Sequence, residues 1–500
     1  MTVLRSFPRA WRPVASSLIG ALLLSGCAVG PNYHRPDVVT PPAFKEAPSA
    51  RNGWVPSRPM DTIDRGAWWS AFNDPVLDGL EKKVVISNQT VAQAVAAYDQ
   101  ARALTSADRA SLFPSLSLSG SGTRSGSGGG GGSGSTFVDS SGNVISGGSG
   151  ATASSRYAAS VGASWAPDVW GRIRRQVESD KAAAQASAAD LANATLSAQT
   201  ELATDYFNLR ILDEQKRLYD ETIAAYKKSL AVSQNQYKAG TIARADLITA
   251  QTQLLSTQAA AVDVGVQRAQ TEHAIAVLAG LAPSELTIAP TTMAYAPAIP
   301  TPPLELPSEV LQRRPDIAAA ERRVASANAA IGVQVAAYFP SITLSGSYGF
   351  SASNLSTLFN SANDVWSYGA NLAETVLDFG ARQARVRQAK AAYAQQVAAY
   401  RQTVLTAFQG VEDQLVALRV LETESKIRDQ TLASARQAEQ LALNRYRAGQ
   451  VDYTTVAAAQ ATALQSAQDV LNITKSRQNA SVALIEALGG GWTAADLPKK

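Results

Sequence analysis

Along most of the chain the apolar positions recur every three or four residues. Val404, Phe408, Val411, Leu415 and Leu418 are spaced 4, 3, 4 and 3, the seam of a coiled coil. Leu191, Ala198, Leu202 and Leu209 follow the same heptad logic. Both seams lie in proline-free stretches rich in alanine, glutamine and leucine, Gly171 to Tyr237 and Gly380 to Tyr446. Each stretch holds 67 residues, so as one helix it spans roughly 100 Å at a rise of about 1.5 Å per residue. Alanine beside the seams lets a neighbour come close, so these are helices that pack on helices. Gly240 and Gly449 follow the stretches, where a left-handed residue ends a helix and the chain reverses. The return helices, 241–280 and 451–488, hold about 40 residues and reach roughly 60 Å. Further helices are predicted at 75–112 and 308–338, the first with Asp74 as N-cap and Pro75 at its first position. Two shorter helices stacked end to end would then cover each long one.

Between the helices the period falls to two. Tyr157, Ala159, Val161, Ala163 and Trp165 alternate with small or polar residues. So do Ile342, Leu344, Gly346, Tyr348 and Phe350, and again Trp366, Tyr368, Ala370 and Leu372, while Leu116 and Leu118 open a fourth run. The predicted strands are 115–124, 155–165, 341–350 and 366–376. At about 9–11 residues they have the length of transmembrane β-strands, with aromatics near the ends as an interfacial girdle requires. Soluble hairpins would show the same alternation. Ser121 to Ser155 is dominated by glycine and serine, with glycine throughout 128–132. It cannot bury enough surface to fold and reads as a long loop at one end of the first hairpin. Strands in lipid must close into a barrel, because an open edge leaves backbone groups unpaired. Four strands are too few for that, since the smallest barrels have about eight. Two chains would supply eight, three twelve, four sixteen.

The order of elements occurs twice. Phe113-Pro114-Ser115-Leu116 returns as Phe339-Pro340-Ser341-Ile342 at an offset of 226. Trp170-Gly171-Arg172 returns as Phe379-Gly380-Ala381-Arg382, and Tyr237-Lys238-Ala239-Gly240 as Tyr446-Arg447-Ala448-Gly449, both at 209. Two halves of one design make up most of the chain.

Composition removes most chemistry. A single cysteine in 500 residues excludes an intramolecular disulfide and a thiolate metal cage. His34 and His273, the two histidines, are far apart and neither sits in a ligand-spaced cluster. No Ser/His/Asp, Cys/His or clustered carboxylate arrangement is present, nor a phosphate-cradling loop, so neither an enzyme nor a cofactor is expected. The net charge of +4 is small for this length, and no basic patch points to nucleic acid. Arg5, Arg9 and Arg12, the apolar run Val14 to Leu24, and small Ser25 and Gly26 form a secretory signal peptide over 1–26. Leu24-Ser25-Gly26-Cys27 resembles the bacterial lipobox, which implies a lipid on Cys27 as the first mature residue. Beyond it no stretch approaches about eighteen apolar residues, so any crossing of a membrane falls to strands.

In chain order, Gly30-Pro31-Asn32-Tyr33-His34-Arg35-Pro36, Trp68-Trp69 with Phe72-Asn73-Asp74-Pro75, and Leu311-Gln312-Arg313-Arg314-Pro315-Asp316-Ile317 carry a resemblance. The two Tyr-x-x-Gly turns and Ala487-Leu488-Gly489-Gly490-Gly491-Trp492 complete it. The chain resembles the TolC/OprM outer-membrane factors, in particular the NodT-type lipoproteins of resistance-nodulation-division (RND) efflux systems. The resemblance implies a mainly α fold with a membrane β-barrel portion. Long antiparallel coiled-coil helices would form an α-barrel tunnel, and four strands per protomer would complete a 12-stranded barrel in a homotrimer. It divides the chain into the lipid-anchored segment 27–74, repeat 1 over 75–282, an equatorial linker 283–306, repeat 2 over 307–490 and an equatorial tail 491–500. The implied function is the exit duct of a tripartite efflux system. It would sit in the bacterial outer membrane and extend into the periplasm, passively conducting small molecules such as drugs. Its implied partners are a periplasmic membrane-fusion adaptor, an inner-membrane RND-type pump and outer-membrane lipid.

The resemblance places adaptor docking at the helix-turn-helix tips, around Tyr237, Gly240, Tyr446 and Gly449, and the periplasmic gate at the same tips. Asp246 matches a latch carboxylate, Asp452 is placed to supply an acidic ring, and Tyr446 is a further gate candidate. The family's own aspartate ring and latch arginine fall on Thr455, Ala458 and Val451, which carry no charge. Two other readings stand beside this one: an outer-membrane channel for type I protein secretion, and a lipid-anchored periplasmic coiled-coil scaffold without a pore. The lipobox and Arg313-Arg314-Pro315-Asp316 favour small-molecule efflux.

Overall fold

The elements run α1 (Pro75–Ser87), α2 (Gln89–Ala110), β1 (Ser115–Gly126), β2 (Phe137–Val138), β3 (Val144–Ile145), β4 (Ala153–Trp165), α3 (Arg172–Lys238) and α4 (Arg244–Leu278). They continue with α5 (Pro315–Ala336), β5 (Ser341–Ala352), β6 (Asp364–Ala373), α6 (Ala381–Arg447) and α7 (Tyr453–Ala487). This computed structural model describes residues 28–46, 67–126, 137–138, 144–145, 153–291, 295, 299–300, 313–492 and 497–498. Cys27 and the signal peptide lie outside them. Among the described residues no helix is long and apolar enough to cross a membrane.

One unit combines 102–181 and 326–393 with the segment ending at Tyr33. Its centre is a four-stranded sheet in the order β1-β4-β5-β6, each pair antiparallel. β1 and β4 stay in register from Ser115↔Ser164 to Gly126↔Ala153. The ladder therefore runs into the stretch from Ser121 to Ser155 that the sequence assigned to a loop. Backbone pairing needs no apolar side chain, and β2 and β3 add a further short ladder. Most of the loop, including 128–132, lies outside the described residues. β6 ends at Ala373 rather than 376, because the Thr375 carbonyl accepts from the Arg382 guanidinium and turns the chain into α6.

Both long helices begin on the same device. The Asp168 carboxylate accepts from the Ile173 and Arg174 amides at 2.9 and 2.8 Å, and Asp378 accepts from the Gly380 and Arg382 amides, both at 3.0 Å. An aspartate thus satisfies N–H groups that have no partner in a helix's first turn. In the same unit Arg175 donates to the Val29 and Gly30 carbonyls and to Asn32, fastening the N-terminal segment to α3.

The second unit holds 34–101, 182–325 and 394–500. Its largest core cluster gathers Phe72, Leu77 and Val84 with Leu202, Phe207 and Leu209 of α3, Ile275 of α4 and Val482 of α7. Val404, Phe408, Val411 and Leu415 are buried as the seam predicts, and Leu418 is half-buried. The helix expected over 75–112 is instead two, broken at Asn88. The Asn88 backbone is extended, with ψ 125°. Its side-chain oxygen accepts from the Thr90 and Val91 amides, and its amide nitrogen donates to the Leu278 carbonyl at 2.8 Å. One side chain starts α2 and holds the end of α4. Beside it, Gly280 packs so closely on Ser87 that a Cβ would lie 2.1 Å from the Ser87 carbonyl oxygen. At the equivalent place in the second half, Gly489 stands in the same relation to the Arg313 carbonyl.

Straps cross the long helices here. The Arg210 and Arg268 guanidiniums donate to the Ala289 and Ile288 carbonyls, and Glu272 and Glu214 accept from the Ile288 and Tyr295 amides. On α6, Glu412 accepts from the Lys45 and Glu46 amides, Arg419 pairs with Glu46, and Phe44 packs edge-on to Phe408. Trp492 and Leu497 pack on Ala189, Ala318 and Ala319.

Candidate functional site

Two places in the chain are built for something other than holding the fold. The first is the pair of helical tips. After α3, Gly240 takes φ +73°, and the Gly240 and Thr241 amides donate to the Tyr237 and Gln236 carbonyls, both at 2.9 Å. After α6, Gly449 takes φ +69°, with the Gly449 and Gln450 amides on the Tyr446 and Arg445 carbonyls. Both are closed by a left-handed residue, as the sequence predicts. A Cβ at either glycine would meet nothing within 4 Å. Backbone conformation is thus the only demand the chain itself makes on these residues.

The tips differ in their tyrosines. Tyr237 is 42% exposed and Tyr446 is 6% exposed. The Tyr446 hydroxyl donates to the Gln236 side-chain oxygen at 2.6 Å and lies 3.2 Å from Ser233 Oγ, both on α3. Its ring meets Tyr453 edge-on at 5.4 Å, and Ala250, Ala442 and Val456 close the cluster. Burial pushes the Tyr453 hydroxyl up to about 12, with Tyr226 and Tyr446 adding to the shift, and burial also raises Tyr226. The Gln253 amide crosses from α4 to the Ala457 carbonyl on α7. The two hairpins are therefore clasped tip to tip by uncharged groups.

Of the gate candidates, only Tyr446 enters this clasp. Asp246 is half-buried in the first turn of α4 and has no side-chain partner among the described residues. Asp452 is the N-cap residue of α7, exposed, and makes no side-chain capping bond. Ser233 and Gln236 lie outside the tips that the resemblance implies, and Tyr453 ends the second tip without being singled out. They sit at ordinary polar or helix-start positions, and no sequence signal sets them apart.

The second place is the sheet. Leu116, Leu118, Val161, Tyr348, Trp366, Tyr368 and Leu372 fall on one face by register and remain exposed. On the opposite face Ser119 Oγ lies 2.8 Å from Ser160 Oγ, Ser347 Oγ lies 2.8 Å from Ser367 Oγ, and Ser125 Oγ lies 3.1 Å from Ser154 Oγ. One face suits hydrocarbon and the other water. β1 and β6 each have one unpaired edge among the described strands.

Known proteins share this arrangement. The chain is 29% identical over 476 residues to the Cation efflux system protein CusC of Escherichia coli, covering 94% of this chain and 97% of that protein. It is 30% identical over 426 residues to Nodulation protein T of Rhizobium leguminosarum bv. trifolii, covering 82% and 85%. The solved outer-membrane channel OprN superposes with a TM-score of 0.81 at 30% identity, covering 93% of this chain and 100% of that one. The pattern that defines the family Outer membrane efflux protein matches residues 81–281 and 306–490, most of both halves. The chain belongs to that family, and it is an efflux channel protein of the outer membrane.

Proposed function

We propose that three copies of this chain form one passive duct, held in the outer membrane by a closed barrel and by a lipid on Cys27. An inner-membrane RND-type pump feeds it small molecules through a periplasmic adaptor seated on the tips at Tyr237, Gly240, Tyr446 and Gly449. The observation that carries this reading is the open, two-faced sheet. An unpaired edge in hydrocarbon costs several kcal/mol for each backbone group left without a partner. β1 and β6 run in opposite directions, so β6 of one copy meets β1 of the next as an antiparallel pair, and the ring closes. Eight strands leave an interior filled by side chains, so a duct needs more than two copies. Apolar residues at heptad spacing are exposed on α4 (Ile248, Leu255, Val262) and on α6 (Val420, Ile427, Leu441), which suits packing against neighbouring copies.

Native mass spectrometry of the detergent-extracted protein tests the assembly. Three protomers are expected, and a stable monomer or dimer refutes the shared barrel. Loss of the gene should raise cellular accumulation of the cognate pump's cargo, whereas retention of a secreted protein instead would favour type I secretion.

A further inference from the structure

The hydroxyl-lined face of the sheet carries a single charge. Across β1, β4, β5 and β6 the charged residues are Arg124, Arg156 and Asp364, all near the loop end of the sheet, away from the connections to helices. Strand alternation separates them. Arg124 shares its face with Leu116 and Leu118, and Asp364 pairs with Phe350, so both belong to the apolar side. Arg156 pairs with Thr123 on the other side, is exposed, and its Nε donates to Ser351 Oγ at 3.2 Å. The side chains around it on that face are Ser121, Thr123 and Ser125 of β1, Ser154 and Ala158 of β4, and Ser351 of β5. None is acidic.

We propose that Arg156 is the charge filter of the duct, favouring solutes that bear carboxylate, phosphate or sulfate groups over cations at the outward end of the lumen. The inference rests on the trimeric-barrel reading, which turns one arginine per chain into a ring of three. Serine hydroxyls both donate and accept, so the rest of the wall prefers neither sign. The guanidinium supplies a fixed positive charge with several donors that suit such oxyanions. Rings of arginine or lysine select anions in other pores by the same Coulomb attraction. The field reaches about 10 Å at 0.1 M salt and about 30 Å at 0.01 M, so the filter strengthens as salt falls.

The test is the reversal potential of the purified full-length channel in planar bilayers under a potassium chloride gradient at low salt. The wild type should lean toward chloride. Arg156→Gln should lower the chloride-to-potassium permeability ratio at least about twofold, and Arg156→Glu should lower it further. Arg124→Gln, on the apolar face, should leave it unchanged. Arg156→Cys allows charge to be added after assembly, independently of folding. A cationic methanethiosulfonate should restore the preference for chloride and an anionic one should reverse it. Conducting channels whose reversal potential ignores all of these changes overturn the filter but leave the duct standing. A wild-type protein that conducts nothing overturns the duct and the filter together.

Discussion

Glu81 offers a prediction with a definite slope. It lies in α1 with its side chain fully buried beside Leu77, Leu80 and Val84, and neither carboxyl oxygen has a hydrogen-bond partner among the described residues. One turn earlier the Asp78 Oδ1 atom is also buried and unbonded among the described residues. Burial raises the Glu81 carboxyl from 4.5 to about 9. The folded protein thus holds a proton that the unfolded chain gives up above its ordinary pKa. Between those two values stability must fall as pH rises, by about 1.4 kcal/mol per unit for each protomer. At about pH 7 the cost of keeping that proton is already about 3 kcal/mol. Glu81→Gln removes this cost, but buries an amide with unmet donors at about 1–3 kcal/mol. The variant should therefore match the wild type within about 1 kcal/mol near pH 6 and exceed it by about 2–4 kcal/mol near pH 8. Asp180 and Asp205, each raised to about 6 chiefly by burial, act in the same direction, but both are spent by neutral pH and cancel in the comparison. Urea unfolding of the detergent-solubilised pair at the two pH values measures the difference. Parallel curves would show that Glu81 ionises without penalty and would refute the reasoning.

Other perturbations follow from the tips, the anchor and the loop. Tyr446→Phe keeps the packed ring but removes the bonds to Gln236 and Ser233, at about 0.5–1.5 kcal/mol each; single-channel recording should show longer or larger openings. Gly240→Asp and Gly449→Asp pay roughly 1–2 kcal/mol for positive φ, with open space around each, so trimers should reach the outer membrane, yet lose export and adaptor crosslinking. Full export by both variants would remove the tips as the docking site. Mass spectrometry of the mature N-terminus should find a lipid on Cys27, and a chain beginning elsewhere refutes that anchor. Deleting the glycine tract 126–134 should leave trimer yield and export unchanged, since such a tract contributes little packing.

The frame was legible because it is periodic. Heptads, alternation and two terminal glycines placed the long helices, the four strands of the main sheet and the tips to within a few residues, since each repeats one local rule over many turns or pairs. The break at Asn88 was not legible. An asparagine inside a helical pattern shows its capping role only once the Leu278 carbonyl lies within its reach. The straps were hidden for a similar reason: Glu412 and Arg210 look like ordinary helix-surface charges until 44–46 and 288–289 lie across them. At the tips, Tyr446 stood out through its repeat match, but its partners Gln236 and Ser233 are common polar residues. Two of the gate candidates that the resemblance implies, Asp246 and Asp452, are charged. The clasp in the structure is neutral, so Asp246 and Asp452 remain without a partner in it.

Duplication explains why there is one such clasp rather than two. α3 and α6 each have 67 residues and α4 and α7 each have 35, at one common offset, so the halves present nearly identical backbones. The side chains have diverged where the hairpins meet. Tyr446 corresponds to exposed Tyr237, Ser233 to Ala442, Gln236 to Arg445 and Tyr453 to Arg244. The mirror-image contact has therefore lost its acceptors and its second ring. Within the clasp, Tyr446 contributes two hydrogen bonds and an edge-on ring contact, about 2–4 kcal/mol, beside the Gln253–Ala457 hydrogen bond and the apolar contacts of Ala250, Ala442 and Val456. A ligand shifts such an equilibrium by no more than its preference for one state over the other. Under the proposed gating at the tips, a partner that prefers separated tips by roughly thirty- to a thousandfold in affinity offsets the contribution of Tyr446. No step of that kind needs fuel at the duct itself.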